Sequence, residues 1–173
     1  SSRAEVLFVD YIVDHLKPNG RAGIVVPEGI IFQEGNAYAK IRKKLVESGL
    51  VGVISLPQGV FNPYSPVKTS ILIIDKEISS SSDRVFFAQV NNDGYSLGSQ
   101  RKLIDKNDLP SLVESISNWF VDGIEQSNLR FVDKQRILNE KKCKLTISNY
   151  LDSTVSNSDF QLIKVGDALQ QSK

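Results

Sequence analysis

Two apolar runs rich in β-branched residues, Leu50–Leu56 and Thr69–Asp75, are joined by residues 57–68, which hold Pro57, Gly59, Pro63 and Pro66. A connection so punctuated leaves no room for a crossover helix. A parallel pair of neighbouring strands needs one, so the two runs are predicted to lie antiparallel. Upstream the order differs. Val6, Val9, Val13 and Leu16 recur at spacings of three and four over residues 3–17, with Asp10 and Asp14 opposite them. This predicts an amphipathic helix, stopped by Lys17-Pro-Asn-Gly20. Arg21–Val26 has the length and composition of a buried strand, and it ends at Pro27-Glu28-Gly29. Residues 36–48 predict a second helix with Tyr38, Ile41 and Leu45 on one face. Helices alternating with strands imply an α/β fold, with helices on a mostly parallel sheet that finishes in an antiparallel strand.

Ser79–Ser82 is expected to be a polar break that ends this sheet. Arg84–Val90 is a further strand candidate, Asn91-Asn-Asp-Gly94 a turn, and Tyr95–Leu97 its returning partner. After Asn107-Asp-Leu-Pro110, residues Leu112, Ile116, Trp119 and Phe120 form one helical face, and a short helix is expected around Asp133–Glu140. Residues 150–159 are polar and linker-like, and Phe160–Val165 is expected to open another domain. The chain thus divides into a sheet unit (1–76), a mainly helical extension with a β-hairpin (77–150), and a linker leading onward (151–173).

Composition removes several function classes. With 21 Lys+Arg against 20 Asp+Glu, the net charge is +1, so contact with nucleic acid would have to use local patches. No apolar run approaches a membrane span, and the single Cys143 cannot form an internal disulfide, so a reducing compartment away from membranes is expected. Cys143 and His15 lack neighbours at metal-ligand spacing, and His15 falls on the polar side of its helix, where it makes a poor base. There is no Gly-rich phosphate loop between a strand and a helix. Since the sequence holds no Met and starts Ser1-Ser-Arg3, it is expected to be an excised piece of a longer protein.

Chemistry is best sought in the loop 57–68, which is long for a compact domain and lies at an end of the sheet. Its prolines would hold Phe61 and Tyr64 as rigid flat surfaces; spacing alone favours a Phe tucked beneath the loop. Lys40, Arg42, Lys43 and Lys44 could meet phosphates, but cations late in a helix also suit its dipole, and that role is the expected one. Arg101-Lys102 and Lys141, Lys142 and Lys144 read as solvated surface, and Pro27-Glu28-Gly29 as a turn.

Taken in order, several segments resemble the N6-adenine DNA methyltransferases of restriction-modification systems, above all the type I modification subunit and its fused relatives. They are Leu16-Lys-Pro-Asn-Gly-Arg-Ala-Gly-Ile-Val-Val-Pro-Glu-Gly29, Ile41-Arg-Lys-Lys-Leu45, Ile54-Ser-Leu-Pro-Gln-Gly-Val-Phe61 and Val67-Lys-Thr-Ser-Ile-Leu-Ile-Ile-Asp-Lys76. Asn92-Asp-Gly-Tyr-Ser-Leu-Gly98, Arg101-Lys102 and Asn107-Asp-Leu-Pro110 continue the likeness, which covers roughly residues 3–150.

The resemblance implies a partial Rossmann-like methyltransferase sheet, its last strands only, with the final strand antiparallel. It implies methyl transfer from S-adenosylmethionine to a flipped-out adenine. The acidic, Gly-containing cofactor motif and the Asn-Pro-Pro-aromatic motif of that family are expected before Ser1, leaving no acid, base or nucleophile here and an isolated chain without activity. Phe61 matches the family's aromatic against the target adenine, as a base drawn from the duplex needs a flat apolar face. Lys68 and Thr69 would position the loop or touch phosphate. The implied partners are DNA and a specificity subunit or fused target-recognition domain, in the cytoplasm of a prokaryote. Two other readings stay open: a non-catalytic protein-docking module built on the helices around 107–140, and a methyltransferase of RNA or protein.

Overall fold

The computed structural model describes residues 4–122 and 129–150, with the backbone alone at 119–122. The side chains of Trp119 and Phe120 and the segment 151–173, where the linker and further domain were expected, lie outside the described residues. The first helix, α1 (Ala4–His15), buries Val6, Val9 and Val13, and strand β1 (Arg21–Pro27) follows it. A single helical turn, α2 (Gly29–Phe32), leads to α3 (Asn36–Ser48), which buries Tyr38, Ile41 and Leu45 as their spacing requires. Strands β2 (Leu50–Ser55) and β3 (Thr69–Asp75) run antiparallel, as the short connection demands.

The serine run does not end the sheet. Lys76–Ser81 is a helix, α4, whose first turn is capped by the Asp75 carboxylate accepting the Ile78 N–H at 2.9 Å. Ser80 and Ser81 donate back to carbonyls of their own turn, which satisfies them inside the helix. Beyond it lies β4 (Arg84–Gln89), with Val85 and Phe87 buried on one face and Phe86 and Ala88 on the other. A strand apolar on both faces belongs inside a sheet. It pairs in parallel with β2 and antiparallel with β7 (Leu129–Asp133). The sheet thus continues past residue 76, and β4 and β7 of the extension join it.

The strand order is β1-β3-β2-β4-β7. Strands β1, β2 and β4 point the same way, but β3 slots between β1 and β2, so among the described residues only β2 and β4 are parallel neighbours. One face is covered by α1, α3 and α6 (Lys134–Asn139) together with Cys143, Leu145 and Tyr150. The other is covered by α5 (Leu109–Asp122) through Leu112, over Val51, Phe86 and Leu129. The expected hairpin is also displaced: it forms from β5 (Asp93–Tyr95) and β6 (Leu103–Asn107), a separate two-stranded sheet, with Gly94 at φ +85. Among the described residues, no helix is long and apolar enough to cross a membrane.

Candidate functional site

The loop after β2 begins from a fixed point, since the Leu56 N–H donates to the Thr69 carbonyl at 3.1 Å and Leu56 is buried. Residue 59 must be glycine. Its φ is +93, and a Cβ there would lie 2.8 Å from the Leu97 carbonyl oxygen. Next comes Val60, which packs into the core beneath the loop, so Phe61 is turned outward and is 40% exposed. The Phe61 carbonyl accepts N–H groups from Tyr64 at 2.8 Å and Ser65 at 3.0 Å, doubling the chain back on itself. Tyr64, at 93% exposure, touches little. The place that spacing alone would assign to Phe61 is taken by Val60.

Hairpin β5–β6 grips this loop from the side. Asn62 Nδ2 donates to the Leu97 carbonyl at 2.9 Å, and the Arg101 guanidinium donates both to the Val60 carbonyl and to the Asp93 carboxylate. Arg101 also lies over the Tyr95 ring, 5.2 Å from its centroid. Asp108 fastens the preceding turn, accepting the backbone N–H groups of Asn91 and Asn92 at 2.8 Å each. Those donors, Asn92 foremost, hold its carboxyl below the usual carboxylate range. Arg101, read from sequence as solvated surface, is a half-buried tie.

A second cluster lies where β1, β2 and β4 end. Lys68 Nζ is 2.7 Å from Glu28 Oε1, and Ser55 Oγ donates to the same oxygen at 3.3 Å. With Ile31, Phe87, Gln89 and Thr146 these residues line a cavity of about 180 Å³. The carboxyl ends of co-directional strands are where open α/β sheets gather ligands. Glu28 reads in the sequence as part of a turn; it follows β1, which is an outer strand with Val26 alone buried and not the buried strand its composition suggests. Of the residues singled out beforehand, Lys68 enters this cluster and Phe61 does not line it. Thr69 opens β3 opposite Pro27, its hydroxyl buried without a partner.

None of the basic residues of α3 stands in its last turn, where the helix dipole would favour them; Lys40 and Lys43 are exposed, and the other two are structural. Arg42 is fully buried, and Lys44 bridges Asp10 at 2.6 Å and Asp14 at 2.7 Å on α1. Lys144 pairs with Glu34 at 2.9 Å. Cys143 is buried, and that burial pushes its thiol up, away from thiolate chemistry. His15 is exposed and stacks on Tyr11 with ring centroids 3.8 Å apart.

Comparison with known proteins places this geometry in context. The family model described as N-6 DNA Methylase matches residues 1–159. The methylase subunit of the type I restriction enzyme MpnII from Mycoplasma pneumoniae is 30% identical over 164 residues, covering 94% of this chain and 28% of that protein. The corresponding EcoEI subunit from Escherichia coli is 45% identical over 71 residues, 40% of this chain and 14% of its own length. Among solved structures, the type I restriction-modification methyltransferase subunit from Streptococcus thermophilus is 28% identical with a TM-score of 0.64. It is matched over 85% of this chain and 30% of that one. The chain thus spans less than a third of each of these relatives.

Proposed function

This chain belongs to the N-6 DNA methylase family, and from that premise we propose that it is the second half of the catalytic domain of a DNA adenine-N6 methyltransferase. The enzyme would serve a restriction-modification system, as the names of its relatives suggest. The observation that carries the reading is Phe61: an aromatic ring turned outward at the end of the sheet, with Val60 anchoring it below and a hairpin gripping its loop. When adenine leaves the duplex it loses its stacking partners, and a ring in this position restores about 1–3 kcal/mol of it. Holding the base flat leaves its exocyclic amine free to face a methyl donor.

That donor, in this family, is S-adenosylmethionine, and the cavity at the strand ends does not fit it. At about 180 Å³ the cavity beside Glu28 falls below the roughly 300 Å³ at which pockets for drug-sized ligands begin. The Glu28–Lys68 pair further occupies its polar rim. Cofactor binding and the Asn-Pro-Pro-aromatic motif are assigned to other parts of the protein, so the isolated chain is expected to be inactive.

Within this proposal, residues 1–76 complete the catalytic sheet, and 77–150 supply the strands that widen it and the hairpin that holds the loop. Lys68, tied to Glu28, fixes the loop's return into β3 in preference to meeting phosphate. DNA and a specificity subunit, or a fused target-recognition domain, are the partners. The docking alternative draws support from Leu103, Leu109 and Val113, which are exposed near the start of α5. Such docking would be seen as binding of a protein partner without DNA or cofactor.

The test is Phe61→Ala in the full-length protein. Target binding or turnover should fall about tenfold or more, the loss of one stacked base, with affinity for S-adenosylmethionine unchanged. Equal activity in variant and parent would remove Phe61 from the site.

A further inference from the structure

Hairpin β5–β6 contributes no side chain to either hydrophobic core, and every residue of β6 is exposed. An isolated two-stranded hairpin is marginal in water, so this one owes its place to specific ties. They lead to two points: Asp108, which fixes the Asn91–Asn92 turn, and the loop carrying Phe61. Arg101 is the hub of the second. Its side chain is only 17% exposed and that of Asp93 11%, so an ion pair has been drawn out of water to be built here. The planar fork lets one group donate to Asp93 and, at the same time, to the carbonyl of Val60, the residue next to Phe61. Tyr95 beneath the guanidinium leaves it little freedom to swing.

We propose that the hairpin is a clasp and Arg101 a positioning residue for base capture, setting the orientation of Phe61 through the Val60 carbonyl. Asp93 and Tyr95 hold Arg101 in its working geometry. The inference rests on the reading of Phe61 as the adenine contact, and the experiment separates the two.

In the full-length protein, Arg101→Lys keeps a cation for Asp93 but loses the fork that also reaches Val60. It should lower kcat on DNA roughly tenfold or more, because a misplaced reactant costs rate at the reacting centre. KM for S-adenosylmethionine and the melting temperature should stay as in the parent. In a Phe61→Ala background the same substitution should change nothing further, since the group through which Arg101 acts is gone. An equal drop in both backgrounds, or no drop in the parent, would overturn the proposal. A second readout does not depend on Phe61: chymotrypsin should cut after exposed Tyr64 several-fold faster in Arg101→Lys. Should Phe61→Ala prove silent, the adenine reading fails on its own; faster cutting would still uphold the clasp, and unchanged cutting would overturn it.

Discussion

Arg42 carries a full charge to a position with no solvent exposure, on the helix face that also buries Leu45 and Val46. Burial alone pushes its guanidinium below the ordinary arginine range. The compensation is geometric: Nη1 donates to the Ile30 carbonyl at 2.9 Å, Nη2 to Gln33 and Lys142 at 2.8 Å each, and Nε to Cys143 at 3.1 Å. One side chain thereby joins α2 to a segment a hundred residues later. Hydrogen bonds to a charged group contribute about 1.5–3 kcal/mol each, so Arg42→Ala should cost at least about 3 kcal/mol in urea unfolding, and Arg42→Lys should recover little of it. A midpoint unchanged by Arg42→Ala would show the network to be dispensable. Helical spacing does set Arg42 apart from Lys40, Lys43 and Lys44, four residues after Tyr38 and three before Leu45 on the apolar face, but it does not show what would compensate a cation there. A buried cation is marked by its acceptors, and these are backbone oxygens far along the chain. Arg101 is hidden for the same reason: its partners are a carbonyl in another loop and a carboxylate across a hairpin. Family likeness singles out Phe61, but its outward position above a packed Val60 is not legible from spacing.

Among elements, β2 and β4 show why one residue has no side chain. Gly52 pairs with Phe86, and a Cβ on Gly52 would lie 2.0 Å from Phe86 Cζ, so the ring covers the glycine on the neighbouring strand. Gly52→Ala should therefore destabilise the sheet by about 1–3 kcal/mol, the usual cost of overpacking. Combining it with Phe86→Leu should return part of the loss; additive losses in thermal melts would contradict this packing account. The antiparallel β2–β3 pair was legible because loop length is a covalent limit that tertiary structure cannot override. The insertion of β3 between β1 and β2 was not, because either neighbour satisfies an apolar strand. Ser79–Ser82 misled for a related reason. Serine disfavours helix only while its hydroxyl competes for backbone groups, and here Asp75 supplies the cap and the serines bond within the turn. The displaced hairpin followed from treating Arg84–Val90 as one arm, when its two apolar faces assign it to the main sheet.

The whole molecule has an outer strand, β1, that pairs with β3 and leaves its other edge open among the described residues. Leu7, Phe8 and Tyr11 on α1 and Val25 on β1 are exposed. An open edge near exposed apolar side chains marks a surface for further protein, which supports placing this chain inside a longer methyltransferase. On the proposed function, donor and amine chemistry would lie on one side of β1 and base capture by the Phe61 loop on the other. The proposed reaction leaves a product that can be identified chemically. The full-length protein should be incubated with methyl-labelled S-adenosylmethionine and DNA, and the DNA digested to nucleosides. The account predicts label in N6-methyladenine, lost or strongly reduced with Phe61→Ala. Label recovered in cytosine, in RNA or in protein, with none in adenine, would contradict it.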